Sequence, residues 1–129
     1  MKIILSIAIG GALGAVARYG LSLAWPKEAS DWPFLNWPWA TFIANISGCL
    51  LIGVLTGLLN RGDGASETVK YFLLTGFCGG YTTFSTFSLE TLRLMQNGQN
   101  MSALLYLLLS AILGISATFL GLYIASARP

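Results

Sequence analysis

Histidine is absent from this 129-residue chain, and only 9% of its residues carry charge. Water-soluble domains hold roughly 25% charged residues, so the deficit excludes an ordinary soluble fold and points to a membrane protein. Without histidine the usual general base is missing, and no nucleophile–base pair replaces it, which argues against an enzyme. Only two cysteines occur, Cys49 and Cys78. With no histidine and no cysteine cluster they make no metal-ligand pattern, and they are expected as small packing residues rather than a disulfide. The seven Lys and Arg residues are scattered, which sets nucleic-acid binding aside.

What the chain has in abundance is apolar sequence, 55% of it hydrophobic. Uncharged stretches between Asp31 and Arg61, Lys70 and Glu90, and Arg93 and Arg128 each run for about 20 residues or more, the length that crosses a bilayer. A further stretch begins at Ile3 and reaches that length by running past Arg18. Its apolar run is too long, and its small residues sit too early, for a cleaved signal peptide. The expected fold is therefore an all-α membrane protein, one transmembrane domain over residues 1–129, with spans at about 3–23, 39–59, 69–94 and 101–125. Short joining segments, "WPKEASDWPFLNWP", "NRGDGASE" and "MQNGQN", carry turn punctuation. Trp25, Trp32, Trp37 and Trp39 gather at the first of them, where an interfacial aromatic belt is expected.

With four spans, Lys2, Arg61, Lys70 and Arg128 fall on one side, and Lys27, Arg93 and Arg18 on the other. A chain with one fixed orientation normally shows a clear cytoplasmic excess of Lys and Arg. This near balance predicts insertion in both orientations, although one or two dominant charges could still fix a single one. Opposed copies would pair about a two-fold axis in the membrane plane, like the inverted repeats of larger transporters. Small residues at Gly10-x-x-x-Gly14 and Gly53-x-x-x-Gly57 support close helix association in such an oligomer.

Polar side chains inside the spans mark candidate sites. Asn45, with Thr41 one turn before it, either lines water or joins two helices through its amide. In the fourth span Tyr106, Ser110 and Thr118 recur at intervals of four and eight with Gly114 between them, forming one stripe. Such hydroxyls also bond their own helix, so the stripe is open to an inert reading. The third span holds "GFCGGYTTFSTF" at 76–87, where adjacent Gly79 and Gly80 invite the backbone to leave helical geometry. A break in lipid is tolerated where protein or a polar cavity receives the freed groups, and freed carbonyls are ready cation ligands. Beyond it Phe84 and Phe87 share a face beside Ser85 and Thr86. They read either as core packing or as ring edges that can receive a small anion.

The segments "GGALGAVARY" at 10–19, "WPWATFIANISG" at 37–48 and "GFCGGYTTFSTFSLET" at 76–91 resemble the Fluc, or CrcB, family of bacterial fluoride channels. The resemblance covers the whole chain and the order of all three motifs. It implies a passive, selective fluoride channel of the inner membrane, built as an antiparallel homodimer with a broken third helix. It further implies a structural sodium ion on the two-fold axis, held by the backbone carbonyls of Gly79 and Thr82 from each copy. By the same resemblance, Phe84 and Phe87 line the fluoride pathway and Asn45 donates an N–H into it. Ser85 and Thr86 add hydroxyls there, and Thr41, Tyr106, Ser110 and Thr118 provide a polar track. Arg18 would shape the vestibule, and Glu90 would stand near a pore mouth or pair with Arg93. Gly114 departs from the resemblance, since the track often has serine there. Two rivals remain on the sequence: a small multidrug-type exporter, which requires an ionisable carboxylate inside a span, and a non-transporting assembly protein, which leaves "CGGYTTFSTF" without a reason.

Overall fold

In the computed structural model, which describes residues 1–25, 37–61 and 65–127, every regular element is helical. Helix α1 covers Lys2–Ala24 and α2 covers Trp39–Leu59. A short α3, Glu67–Lys70, runs without interruption into a π-helix at Tyr71–Cys78 and a last turn, α4, at Gly79–Tyr81. After two extended residues, α5 spans Phe84–Gln96 and α6 spans Asn100–Ser126. Helices α1, α2 and α6 are each long and apolar enough to cross a membrane. The chain is a multi-pass membrane protein. The expected spans at 3–23, 39–59 and 101–125 coincide with these helices within one or two residues. The stretch 69–94 is divided, and α5, with 13 residues, is too short to cross alone.

Helix ends follow local sequence. Pro38 immediately precedes the first residue of α2 and so stands where no helical N–H is lost. Between α5 and α6, Gly98 adopts φ 75°, the left-handed conformation that glycine enters freely. There Gln99 N–H donates to Leu94 O at 2.9 Å and Gly98 N–H to Met95 O at 3.0 Å, a paired closure of the helix C-terminus. That closure reverses the chain in "MQNGQN" and sets α6 antiparallel to α5.

Glycines bring the helices into backbone contact. Gly10 and Gly14 of α1 meet the backbone at Phe72, Gly76, Phe77 and Gly80, so that a Cβ at either position would overlap a carbonyl oxygen. Gly80 in turn lies against the Gly11 carbonyl. Gly53 of α2 rests on the Thr118 carbonyl, and Gly121 of α6 on the Leu50 carbonyl. The small-residue stripes expected to serve an oligomer are thus consumed within one chain, α1 against residues 71–81 and α2 against α6. Close backbone approach is how helices associate where lipid is as apolar as the side chains. The outer faces carry the exposed apolar residues, among them Ile4, Ile9 and Val16 on α1 and Ile112, Ile115 and Phe119 on α6.

The aromatic belt is only partly as expected. Trp25 is exposed, but Trp37 packs against Tyr106 and Phe42 in a buried cluster with Leu94 and Ala103. Trp32, Lys27 and Arg128 lie outside the described residues. Both cysteines are free, Cys78 fully buried and Cys49 half-buried beside Gly114.

Replacing Gly14 with alanine should therefore unseat α1, lowering stability by about 1–3 kcal/mol, the cost of forcing extra bulk into a packed seam. Gly20, with nothing within 4 Å of a built Cβ, should accept alanine without loss. Thermal unfolding of both variants followed by size-exclusion recovery checks the pair, and equal loss at the two sites would contradict this packing.

Candidate ion site at the broken helix

The break does not fall at the double glycine. Gly79 is helical, with φ −64° and ψ −38°, and α4 continues through Tyr81. The chain leaves helical geometry at Thr82, φ −89° and ψ 160°, and Thr83, φ −154° and ψ 126°. Two β-branched residues suit this extended conformation, whereas the demand on Gly80 is to let the α1 backbone approach.

Every polar group exposed by the break meets a specific partner or opens to a groove. Thr83 N–H donates to Asn45 Oδ1 at 2.8 Å, and Asn45 Nδ2 donates back to Thr83 O at 3.0 Å. The side-chain amide therefore replaces the helical bond that Thr83 N–H forgoes and adds a second donor at Thr83 O, the carbonyl that opens α5. Thr82 stays tied to the preceding turn, its N–H and hydroxyl donating to Cys78 O at 3.0 Å and 2.8 Å. The Thr83 hydroxyl caps α5 by accepting from Thr86 N–H at 3.2 Å. It also donates to the Thr86 hydroxyl at 3.2 Å and lies 3.3 Å from the Ser85 hydroxyl. Arg18 Nε donates to Gly80 O at 3.3 Å, placing a cation at a helix C-terminus where the dipole favours it. Since Thr83 N–H is held by Asn45, the Gly79 carbonyl loses its fourth-residue donor, and the Thr82 carbonyl has left the helical ladder. Both residues line an open, largely apolar groove of about 720 Å³ between α2, the break and α6.

Helix α2 is shaped to receive the break. Gly48 leaves room for the Thr82 methyl and the Tyr81 ring, and the Ser47 hydroxyl lies 3.0 Å from Tyr81 OH. Tyr81 stacks on Phe77 at 5.9 Å. Ser47, Gly48, Tyr81 and Thr83 were not singled out by sequence as site residues, yet they make the seat of the break. The signal available was the run "NISG", which puts Ser47 and Gly48 within a turn of Asn45.

Further along, the layers repeat at one-turn intervals. Thr41 Oγ1 donates to Glu90 Oε1 and Tyr106 OH donates to Glu90 Oε2, both at 3.0 Å and both buried. Hydroxyls from α2 and α6 thus organise the Glu90 carboxylate. Phe87 packs on Tyr106 at 4.9 Å and on Phe84 at 5.8 Å. Phe84 itself is 79% exposed. Ser110 lines the groove near Phe84 and Phe87, but Thr118 lies apart from it. Its hydroxyl donates to Gly114 O at 3.1 Å, the inert arrangement, and its carbonyl carries Gly53.

A family model described as CrcB-like protein, Camphor Resistance (CrcB), matches residues 5–122. The chain belongs to the CrcB family. A fluoride-specific ion channel FluC of Flavobacterium psychrophilum is 49% identical over 125 residues, covering 97% of this chain and 98% of that protein. Proteins of the same description from Hyphomonas neptunium and Nitrobacter winogradskyi are 43% and 42% identical, each covering 94% of this chain and 93% of their own length. Membership of this family makes the chain a non-enzymatic membrane protein.

For a CrcB chain built this way, Asn45→Asp tests the latch, because a carboxylate accepts from Thr83 N–H but cannot donate to Thr83 O. The substitution should cost about 1–3 kcal/mol for the lost hydrogen bond and the misplaced charge. Denaturant titration of the purified protein measures it, and wild-type stability in the variant would refute the two-bond latch.

Proposed function

We propose that this chain is a passive, fluoride-selective channel of the bacterial inner membrane, working as two copies in opposite orientation. The observation that carries this reading is the Thr82–Thr83 break, an irregular stretch latched by Asn45 and bordering an open groove within an otherwise apolar protein. The names of the relatives, fluoride-specific ion channels over nearly the whole length, supply the ion.

In this reading residues 67–81 and 84–96 together make the fourth crossing. The groove and exposed Phe84 are where a second copy completes the path. The Gly79 and Thr82 carbonyls of the two copies would hold a sodium ion. Carbonyl oxygens are the hard donors such a cation takes, and Gly79 has nothing within 4 Å of a built Cβ, so close approach is open. A cation held by these carbonyls would supply a fixed positive charge inside the protein, offsetting part of the desolvation cost of an anion.

The chain's own residues provide the path. Phe84 and Phe87 offer positive ring edges, and the amide N–H that Asn45 does not spend on Thr83 remains as a donor. Ser85 and Thr86 add hydroxyls beside the rings, and Thr41, Tyr106 and Ser110 form the polar track, without Thr118, whose hydroxyl is spent on its own helix. Arg18 and Glu90 set the charge of the approaches. Hydrogen fluoride crosses membranes neutral and ionises inside, so the inside-negative potential expels fluoride through a selective leak. Each charge moved gains about 2.3 kcal/mol per 100 mV. A proton-coupled exporter would instead need an ionisable carboxylate inside a span, and Lys2–Ala24, Trp39–Leu59 and Asn100–Ser126 contain no Asp or Glu.

Liposomes containing the protein should lose fluoride rapidly while retaining chloride, as followed by ion-selective electrodes. Absence of fluoride loss would defeat the channel reading. Phe84→Ile should fold normally, since the ring is exposed, and slow fluoride efflux by at least about tenfold, equivalent to 1.4 kcal/mol. Undiminished efflux in that variant removes the ring edge from the mechanism. Copies joined by a linker that enforces parallel orientation should conduct nothing, and conduction by them would refute the opposed pair.

A further inference from the structure

Among the described residues, two buried polar atoms lack a hydrogen-bond partner: Ser110 Oγ and Trp37 Nε1. Ser110 lines the groove and belongs to the track already proposed. Trp37 lies outside that track, and leaving its indole N–H buried and unpaired is costly. The indole is nonetheless held firmly. Its ring centroid is 6.0 Å from Tyr106 at an interplanar angle of 88°, 5.8 Å from Phe42 and 5.3 Å from Trp39. A fixed, buried, unpaired donor in a native protein calls for an acceptor from outside the chain, whether water or an ion.

Position narrows the acceptor. Trp37 lies just before α2 and contacts Tyr106 of α6, while inside α2 Thr41 bonds Glu90 of α5 and Asn45 bonds Thr83 at the break. The Thr41 hydroxyl is committed to Glu90, and the Asn45 amide to Thr83. Of these three side chains only the indole has no hydrogen-bond partner among the described residues. It stands beside Leu94 and Ala103, at the end where α5 turns into α6, one layer outside Thr41, Glu90 and Tyr106. Indole donates and cannot accept, and it is neutral, so it favours an anion without trapping it. The Glu90 carboxylate one layer deeper opposes an anion and keeps occupancy low, as a conducting path requires.

Building on the channel reading, we propose that the Trp37 indole N–H is the donor of a weak small-anion subsite at the α5–α6 end of the pathway. Here a fluoride exchanges one of its waters for a protein N–H before it passes Tyr106. Trp37→Phe keeps the aromatic packing and deletes only the donor and the second ring. In liposomes this variant should release fluoride about two- to tenfold more slowly than wild type, the equivalent of one neutral hydrogen bond. In ¹⁵N-labelled wild-type protein, the indole resonance missing from Trp37→Phe should move downfield with sodium fluoride and saturate in the millimolar range. Equimolar sodium chloride should move it less. Unchanged efflux in a variant that elutes like wild type, or an indole resonance indifferent to fluoride, overturns the subsite. A wild-type protein that passes no fluoride overturns the channel reading instead, and the indole titration then still decides whether Trp37 binds the anion.

Discussion

Hydrogen-bond satisfaction of the backbone inside an apolar medium governs this molecule. An extended stretch in such a medium strands N–H and C=O groups at several kcal/mol each unless protein receives them. The reciprocal pair between the Asn45 amide and Thr83 meets that requirement with a single side chain. Its consequences spread outward. By taking Thr83 N–H, Asn45 removes the donor that would have occupied the Gly79 carbonyl. By fixing Thr83, it places the hydroxyl that caps α5 and so determines where Phe84 and Phe87 begin. Arg18 holds the neighbouring Gly80 carbonyl from the opposite helix. The break is over-determined from both sides, and it leaves the Gly79 carbonyl without its helical donor in a residue that borders the groove.

Glycine serves a different purpose from the one its local propensity implies. Conformational freedom is exercised at Gly98, where a positive φ closes α5. At Gly10, Gly14, Gly53, Gly80 and Gly121 the requirement is absence of bulk, so that backbones meet. This distributes the chain into two backbone-packed pairs, α1 with residues 71–81 and α2 with α6, and the site forms where the broken element crosses from one pair to the other. The π-helical winding at Tyr71–Cys78 lies along the α1 seam. A turn wider than 3.6 residues reduces the drift of an i, i+4 stripe, which keeps Phe72, Gly76 and Gly80 in line with α1.

The polar residues then divide by what they touch. Thr41 and Tyr106 both donate to Glu90, Asn45 and Thr83 bond each other, and Thr118 returns to its own helix. Residues evenly spaced along one helix thus have separate fates. An i, i+4 row drifts by about 40° per step around a straight helix, so Tyr106 and Thr118 face different neighbours.

Much was legible in the sequence, because apolar length and charge spacing are imposed by the bilayer itself. The bounds of α1, α2 and α6, the divided third stretch, the packing role of the cysteines and the family followed from local composition and motif order. The location of the break did not, since glycine propensity pointed to Gly79 and Gly80 while the outcome depended on Asn45, 38 residues away from Thr83. The seat formed by Ser47 and Gly48, the capture of Glu90 by hydroxyls of two other helices, and the unpaired Trp37 indole likewise arise from contacts between distant segments. Sequence determined which stretches become helices in a membrane, for that is a matter of local hydrophobicity. Tertiary structure decided which polar groups are satisfied and which are left to a ligand, because that depends on what the packing of other helices brings within hydrogen-bond reach.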